Sequence, residues 1–237
     1  GGFTEFIADA TLNHSPDLLE SHKELCSYIN NQGGRLDLKN HYSGSFCASN
    51  WINLSEDPGY GHSELINHIS NNLAEILDRC NFEPKEKVDF ISLGCGDGKI
   101  DKKILYQLQS LNEVACYFPL DFSLELLQRA VSEIIKTTWL FNPNHPFKIK
   151  AIHGDFNNLI RYKPVYSFEP GRNLFSLVGY TFGNYIESEL IGKIYEGMEI
   201  GDLLLVDARL HDSDKSDFRK LSIDDKEKML FNYRSAL

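Results

Sequence analysis

The sequence has no CxxC pair, no GxxxxGKS or GxxxxGKT stretch, and no apolar run near the roughly 20 residues that a membrane-spanning helix needs. Its five cysteines, Cys26, Cys47, Cys80, Cys95 and Cys116, are odd in number and widely spaced. They indicate neither a disulfide framework nor a metal site, and a reducing cytoplasm is the simplest setting for them. Without the phosphate-binding loop, phosphoryl transfer from ATP has no support. The first residues, GGFTEFIADA, lack the basic and apolar regions of a signal peptide. Basic residues are in the minority: 24 Lys and Arg against 34 Asp and Glu give a net charge of -10. That charge opposes attraction to nucleic acid and to anionic membrane, so neither is expected as a partner. What the 237 residues do hold is 42% hydrophobic beside 24% charged residues, the proportions of a chain that folds around a core.

The texture changes near residue 85. Before it, residues 16–31 and 63–80 show helical periodicity, the second with Leu65, Ile66, Ile69, Leu73, Ile76 and Leu77 on one face and Ser63 as its expected cap. Between them lies HYSGSFCASNWINLSEDPGYG, which reads as an irregular segment pinned or folded over a cleft by Tyr42, Phe46, Trp51 and Tyr60. After residue 87, strand and helix patterns alternate. Strands are expected at 88–93, 114–120, 147–154, 173–179 and 202–208, with helices at 100–111, 123–136 and 187–198. Such an order requires crossover connections and therefore a parallel sheet covered on both faces, a doubly wound α/β fold.

The first strand of that series runs into Gly94-Cys95-Gly96-Asp97-Gly98, where a tight turn brings backbone N–H groups close to a ligand. The second strand ends at Asp121, whose carboxylate can accept both hydroxyls of a ribose, and the third ends in His153-Gly154-Asp155-Phe156, an acceptor and a flat aromatic suited to adenine. Dehydrogenases and methyltransferases share this plan. The GxGxG spacing and the carboxylate of Asp97 inside the loop oppose a pyrophosphate and tolerate the ammonium and sulfonium of S-adenosylmethionine (SAM). Of the eight histidines only His153 stands at a strand end, and its structural reading is the stronger one.

DFISLGCGDGKI, YFPLDFS, IHGDF, LFSLVGYTFGNY and GDLLLVD, in this order across residues 88–210, resemble the histidine-specific, SAM-dependent methyltransferase family, which includes the histidine Nα-methyltransferase of ergothioneine biosynthesis. The resemblance implies a Rossmann-like class I methyltransferase sheet that binds S-adenosyl-L-methionine. It implies further that Gly94 and Gly96 lie against the methionine part of the donor, with Asp121 on the ribose and Asp155 and Phe156 at the adenine; Cys95 and Phe122 are grouped with them as cofactor-binding. Asn184 matches the residue that holds the α-amino group of the substrate, and Tyr60 a tyrosine near that amine and the carboxylate. Those two are the expected catalytic pair, and the partner is a small amino acid or amine.

The organisation expected is a helical region with an aromatic loop over residues 1–84 that covers the substrate, a SAM-binding domain over 85–210, and a charged helical segment over 211–237. No pattern for a final antiparallel hairpin is found in that last segment. The strands that complete a seven-stranded sheet are therefore expected to be absent or truncated, and the strand near 202–208 to need cover from elsewhere. A degenerate fold that binds SAM as a regulatory or partner subunit is the alternative to an N-methyltransferase.

Overall fold

Short apolar runs with Val, Ile and Phe cannot be satisfied on one face alone, and here they assemble into one fully parallel sheet. The computed structural model describes residues 4–8, 45–57, 61–137, 147–166, 171–179, 181–182 and 185–207. In chain order these form β1 (Thr4–Ala8), α1 (Ser45–Glu56), α2 (His62–Arg79), β2 (Lys87–Leu93), α3 (Lys99–Leu111), β3 (Glu113–Asp121), α4 (Leu124–Lys136), β4 (Lys148–His153), a 3-10 helix (Phe156–Tyr162), α5 (Lys163–Tyr166), β5 (Arg172–Leu177), α6 (Glu187–Gly197) and β6 (Leu203–Val206). The strand order is β1-β4-β3-β2-β5-β6. From β2 the chain builds outward through β3 to β4, then returns to place β5 on the other side of β2. The gap between β2 and β5 is thus the point where the winding reverses, and in open parallel sheets ligands lie beyond the carboxyl ends of the strands at that point.

Alternation along the strands divides the core in two. Val88 and Phe90 of β2, Val114 and Tyr117 of β3 and Leu174 of β5 pack with Ile69, Leu73 and Leu77 of α2 and with Ile104, Leu105, Leu127 and Val131 of α3 and α4. Ile91, Leu93, Phe118, Leu120, Phe175 and Leu177 face the opposite way, onto Phe156, Leu159, Tyr162, Tyr166, Leu190 and Ile194. The doubly wound α/β expectation is therefore met, with helices on both faces.

Three expectations need correction. The segment read as irregular between the first two helical patterns contains α1: its Ser and Asn residues are poor helix formers, but burial of Ala48 and Ser55 overrides propensity, and Ser55 Oγ donates to the Ile52 carbonyl at 2.8 Å. Ser63 does not cap α2. Gly61, left-handed at φ 77, does so, and Ser63 is an exposed residue inside the helix. The third is β1, which falls inside a region expected to be helical and pairs with β4 from Thr4↔Ile149 to Ala8↔His153. The helix expected at 16–31 and everything from residue 208 onward, including the hairpin question and the cover of β6, lie outside the described residues.

Two links lock the far side of the sheet. Arg172 places its guanidinium 3.8 Å over the Phe82 ring and donates to the carbonyls of Gly201 (2.6 Å) and Asn81 (2.8 Å), joining β5 to the end of α2 and to the turn before β6. Asp202 accepts from the Asn173 backbone at 2.9 Å and from the Glu199 backbone at 2.8 Å. Neither reaches the carboxyl ends of the strands, which leaves that edge to the site.

Candidate active site

The loop after β2 turns through three left-handed glycines, Gly94 (φ 75), Gly96 (φ 55) and Gly98 (φ 79), a conformation that L side chains rarely adopt. It is sewn to β3 by Gly94 N–H and Cys95 N–H, which donate to the Leu120 carbonyl at 2.8 and 3.2 Å. Gly96 N–H donates to Asp121 Oδ2 at 3.0 Å, and Ser123 N–H donates to Oδ1 at 2.8 Å. Ser123 itself is the cap of α4, its hydroxyl accepting from Leu126 N–H. Asp121 is thus free of the capping duty and held rigid at the mouth of the loop. Burial pushes its carboxyl up to about 6, while the backbone N–H groups pull the other way.

Gly96 also admits an aromatic. A Cβ there would stand 2.5 Å from the Trp51 ring, so α1 lays its indole directly on the loop, with His62 edge-on to it at 6.1 Å between centroids. Burial holds the His62 imidazole below its ordinary range, with Asp97 opposing, so it is neutral near pH 7. Lys99, the first residue of α3, ties α1 to the loop: its ammonium lies 2.7 Å from Glu56 and 3.0 Å from Asp97.

On the other flank Phe156 and Thr181 come within 3.5 and 3.9 Å of where a Gly94 Cβ would be, and Tyr185 packs edge-on against Phe156 at 5.5 Å. Asp155 caps the 3-10 helix, its Oδ1 accepting from Asn157 N–H and Nδ2 at 2.9 Å each, and its own N–H donating to Tyr162 Oη at 3.0 Å. His153 Nε2 pairs with the Phe122 carbonyl at 2.9 Å, a tie between the ends of β3 and β4. Cys95 is buried beside Asp121; burial and that carboxylate raise its thiol well above the ordinary range, which leaves it protonated. Gly94, Cys95, Gly96, Asp121, Phe122, Asp155 and Phe156 are therefore gathered along one edge. Asn184 and Tyr60 lie outside the described residues, though their chain neighbours Gly61, Phe182 and Tyr185 are described.

A family model described as histidine-specific methyltransferase, SAM-dependent, matches residues 62–216, more than half of the chain. The chain belongs to this family. The enzyme is a SAM-dependent methyltransferase. Among solved structures it is similar to an rRNA methylase from Streptococcus thermophilus (16% identity over 63% of this chain and 80% of that one, TM-score 0.35). An rRNA methyltransferase, aviRa, from Streptomyces viridochromogenes gives 12% over 73% and 82%, TM-score 0.38. DhpI in complex with SAM and HEP gives 12% over 73% and 74%, TM-score 0.37. No curated protein matches the sequence. Among the described residues no helix is long and apolar enough to cross a membrane.

The residues present suit the methyltransferase's donor. A Cβ at Gly96 would collide with Trp51, and Gly94 stands at φ 75, where an L side chain is strained whatever the space, so the loop keeps its shape only as glycine. Its carboxylates, Asp97 and Asp121, match a ligand that carries an ammonium and a sulfonium.

The sequence alone leaves Trp51 as a loop aromatic and Thr181 as one letter of the LFSLVGYTFGNY stretch with no role of its own, and it does not single out His62 or Asp101 as site residues. Asp101 had a signal: with Ile104, Leu105 and Leu108 it occupies the i, i+3, i+4, i+7 positions of the buried face of α3, where an acid is out of place. It is 1% exposed and receives the Tyr117 hydroxyl at 2.5 Å. Burial, then, pushes its carboxyl up to about 7. A carboxyl raised in the folded state adds stability below its unfolded value near 3.8, and that contribution is lost as pH rises through about 7. Asp101→Asn keeps the shape without the charge. Its melting temperature relative to the unaltered protein should therefore be higher at pH 8 than at pH 5, as thermal melts at both pH values will show.

Proposed function

We propose that this methyltransferase transfers its methyl group to the α-amino nitrogen of a small amino acid, histidine or a related amine. The observation that carries the reading is the match to a histidine-specific family across the strands and loops of the site, including the segment that holds Gly183-Asn184. In this reading Gly94, Cys95 and Gly96 line the methionine part of the donor, Asp121 and Phe122 the ribose, and Asp155 and Phe156 the adenine. Asp155 keeps its capping duty while serving there.

The donor, when bound, would supply a methyl group on a sulfonium, whose sulfur is left as a neutral thioether and needs no acid. What the chain must supply is alignment. An α-amino group with a pKa of about 8 is partly neutral at pH 7, so a strong base is not required. Asn184 accepts an N–H of the amine through its side-chain oxygen, and Tyr60 steadies the amine and carboxylate, which turns the nitrogen lone pair toward the methyl and converts an encounter into a fixed geometry. Residues 1–84 serve as the cover that excludes water, a role consistent with Trp51 resting on Gly96. The net charge of -10 favours a small acceptor over nucleic acid.

Turnover with a panel of free amino acids and amines tests this, with methylated product read by mass spectrometry. Asn184→Ala should lower methylation far more than donor affinity, because it touches the acceptor alone. Equal losses in both, or methylation of RNA or protein in place of the small amines, would overturn the reading.

A further inference from the structure

We propose that Asp101 is the positioning residue by which the donor site favours the sulfonium donor over its neutral thioether product, giving up a proton to solvent as the donor binds. The proposal takes the family's donor site as given and concerns how that site tells its two nucleosides apart.

The geometry is that of a buried acid placed under the cofactor loop without a counter-ion. Asp101 stands three residues after Gly98, in the first turn of α3. Among the described residues no cation pairs with it. From β3 it meets the Tyr117 hydroxyl and the charge of Asp121, from β2 the Ser92 hydroxyl, and from the loop Asp97 and the protonated Cys95 thiol. The nearby cations are engaged elsewhere: Lys99 with Glu56 and Asp97, and Lys102 with Glu133 of α4. His62, at the start of α2, is neutral. Burial and the two neighbouring aspartates disfavour the charged form of Asp101, whereas Tyr117 and Ser92 favour it, and the balance falls at about 7. Its charge therefore responds to any new charge nearby.

SAM carries one positive charge more than the thioether that remains after transfer. A sulfonium at the loop stabilises the Asp101 carboxylate, and by reciprocity the carboxylate strengthens the hold on the sulfonium. When the charge disappears on transfer, the proton returns from solvent and the hold on the product weakens. Asp121, whose carboxyl stands at about 6, is already mostly ionised at pH 7 with either nucleoside, and the Asp101→Asn variant separates its part from that of Asp101.

The test is calorimetric titration of the full chain with SAM and with S-adenosylhomocysteine, in phosphate and in Tris, whose ionisation heats differ. SAM should release a larger fraction of a proton at pH 7 than the thioether does. The preference for SAM should grow about fivefold or more from pH 6 to pH 8. Asp101→Asn should lose both effects, and Tyr117→Phe, by removing a hydrogen bond to the charged form, should move the midpoint to higher pH. Equal proton release for the two nucleosides, or a difference that survives in folded Asp101→Asn, overturns the proposal. If Asp101→Asn fails to fold, the unaltered protein and Tyr117→Phe decide it by the same readouts. Should neither nucleoside bind, the donor-site assignment falls and the proposal with it.

Discussion

Asp121→Ala is expected to weaken SAM binding by about 30- to 1000-fold. Two ribose hydroxyls donating to one carboxylate are hydrogen bonds to a charged acceptor, together worth roughly 2–4 kcal/mol. The structure raises the figure toward its upper end, because Asp121 is fixed in advance by Gly96 N–H and Ser123 N–H and loses little freedom on binding. Folding stability should change less than affinity: the substitution strands the Gly96 N–H, but it also removes a carboxylate that burial already disfavours. Affinity in the unaltered protein should likewise fall as pH drops below about 6, where the carboxyl gains a proton and accepts poorly. Calorimetry of a variant shown to be folded is the measurement, and unchanged affinity would remove Asp121 from the donor site.

Gly98→Ala should destabilise the fold by about 2–5 kcal/mol. Gly98 is left-handed at φ 79, which costs an L residue about 1–2 kcal/mol. Its added Cβ would also stand 2.7 Å from the Cα of Ala130, and backbone cannot swing aside as the end of a side chain can, so overpacking adds about 1–3 kcal/mol. The contrasting control is Gly192 in α6, where a Cβ meets nothing within 4 Å. Gly192→Ala should stabilise by about 0.5–1 kcal/mol through the unfolded chain. Urea midpoints that move in the same direction for both would show that neither the left-handed turn nor the α3–α4 contact governs the loop.

These two positions also show what could be read from the sequence. Gly94 to Gly98 and Asp121 were legible because strand ends are marked by where apolar runs stop, and the parallel order follows from alternating periods. The helix α1 was not, since its residues favour a loop and only docking onto α2, α4 and the glycine loop makes them helical. Nor was β1, five residues too short to display a period, whose place is fixed by its pairing with β4. In the site, tertiary placement decided what local pattern could not: Trp51 reaches Gly96 from 45 residues upstream, and Asp101 gains its character from Tyr117 and Ser92 on neighbouring strands.

The pairing of β1 with β4 bears on how the chain reaches this state. Thr4 meets Ile149, about 145 residues later, the longest excursion in the sheet. During synthesis the first strand leaves the ribosome long before its partner exists, and β2 and β3, which adjoin each other in both sequence and space, pair sooner. Docking of β1 is then a late, high-contact-order step whose loop-closure entropy comes due only after β4 has joined β3. Until it occurs, the outer edge of the six-residue β4 stands exposed as a template for another chain, and docking replaces it with the shorter edge of β1, which carries the exposed charge of Glu5.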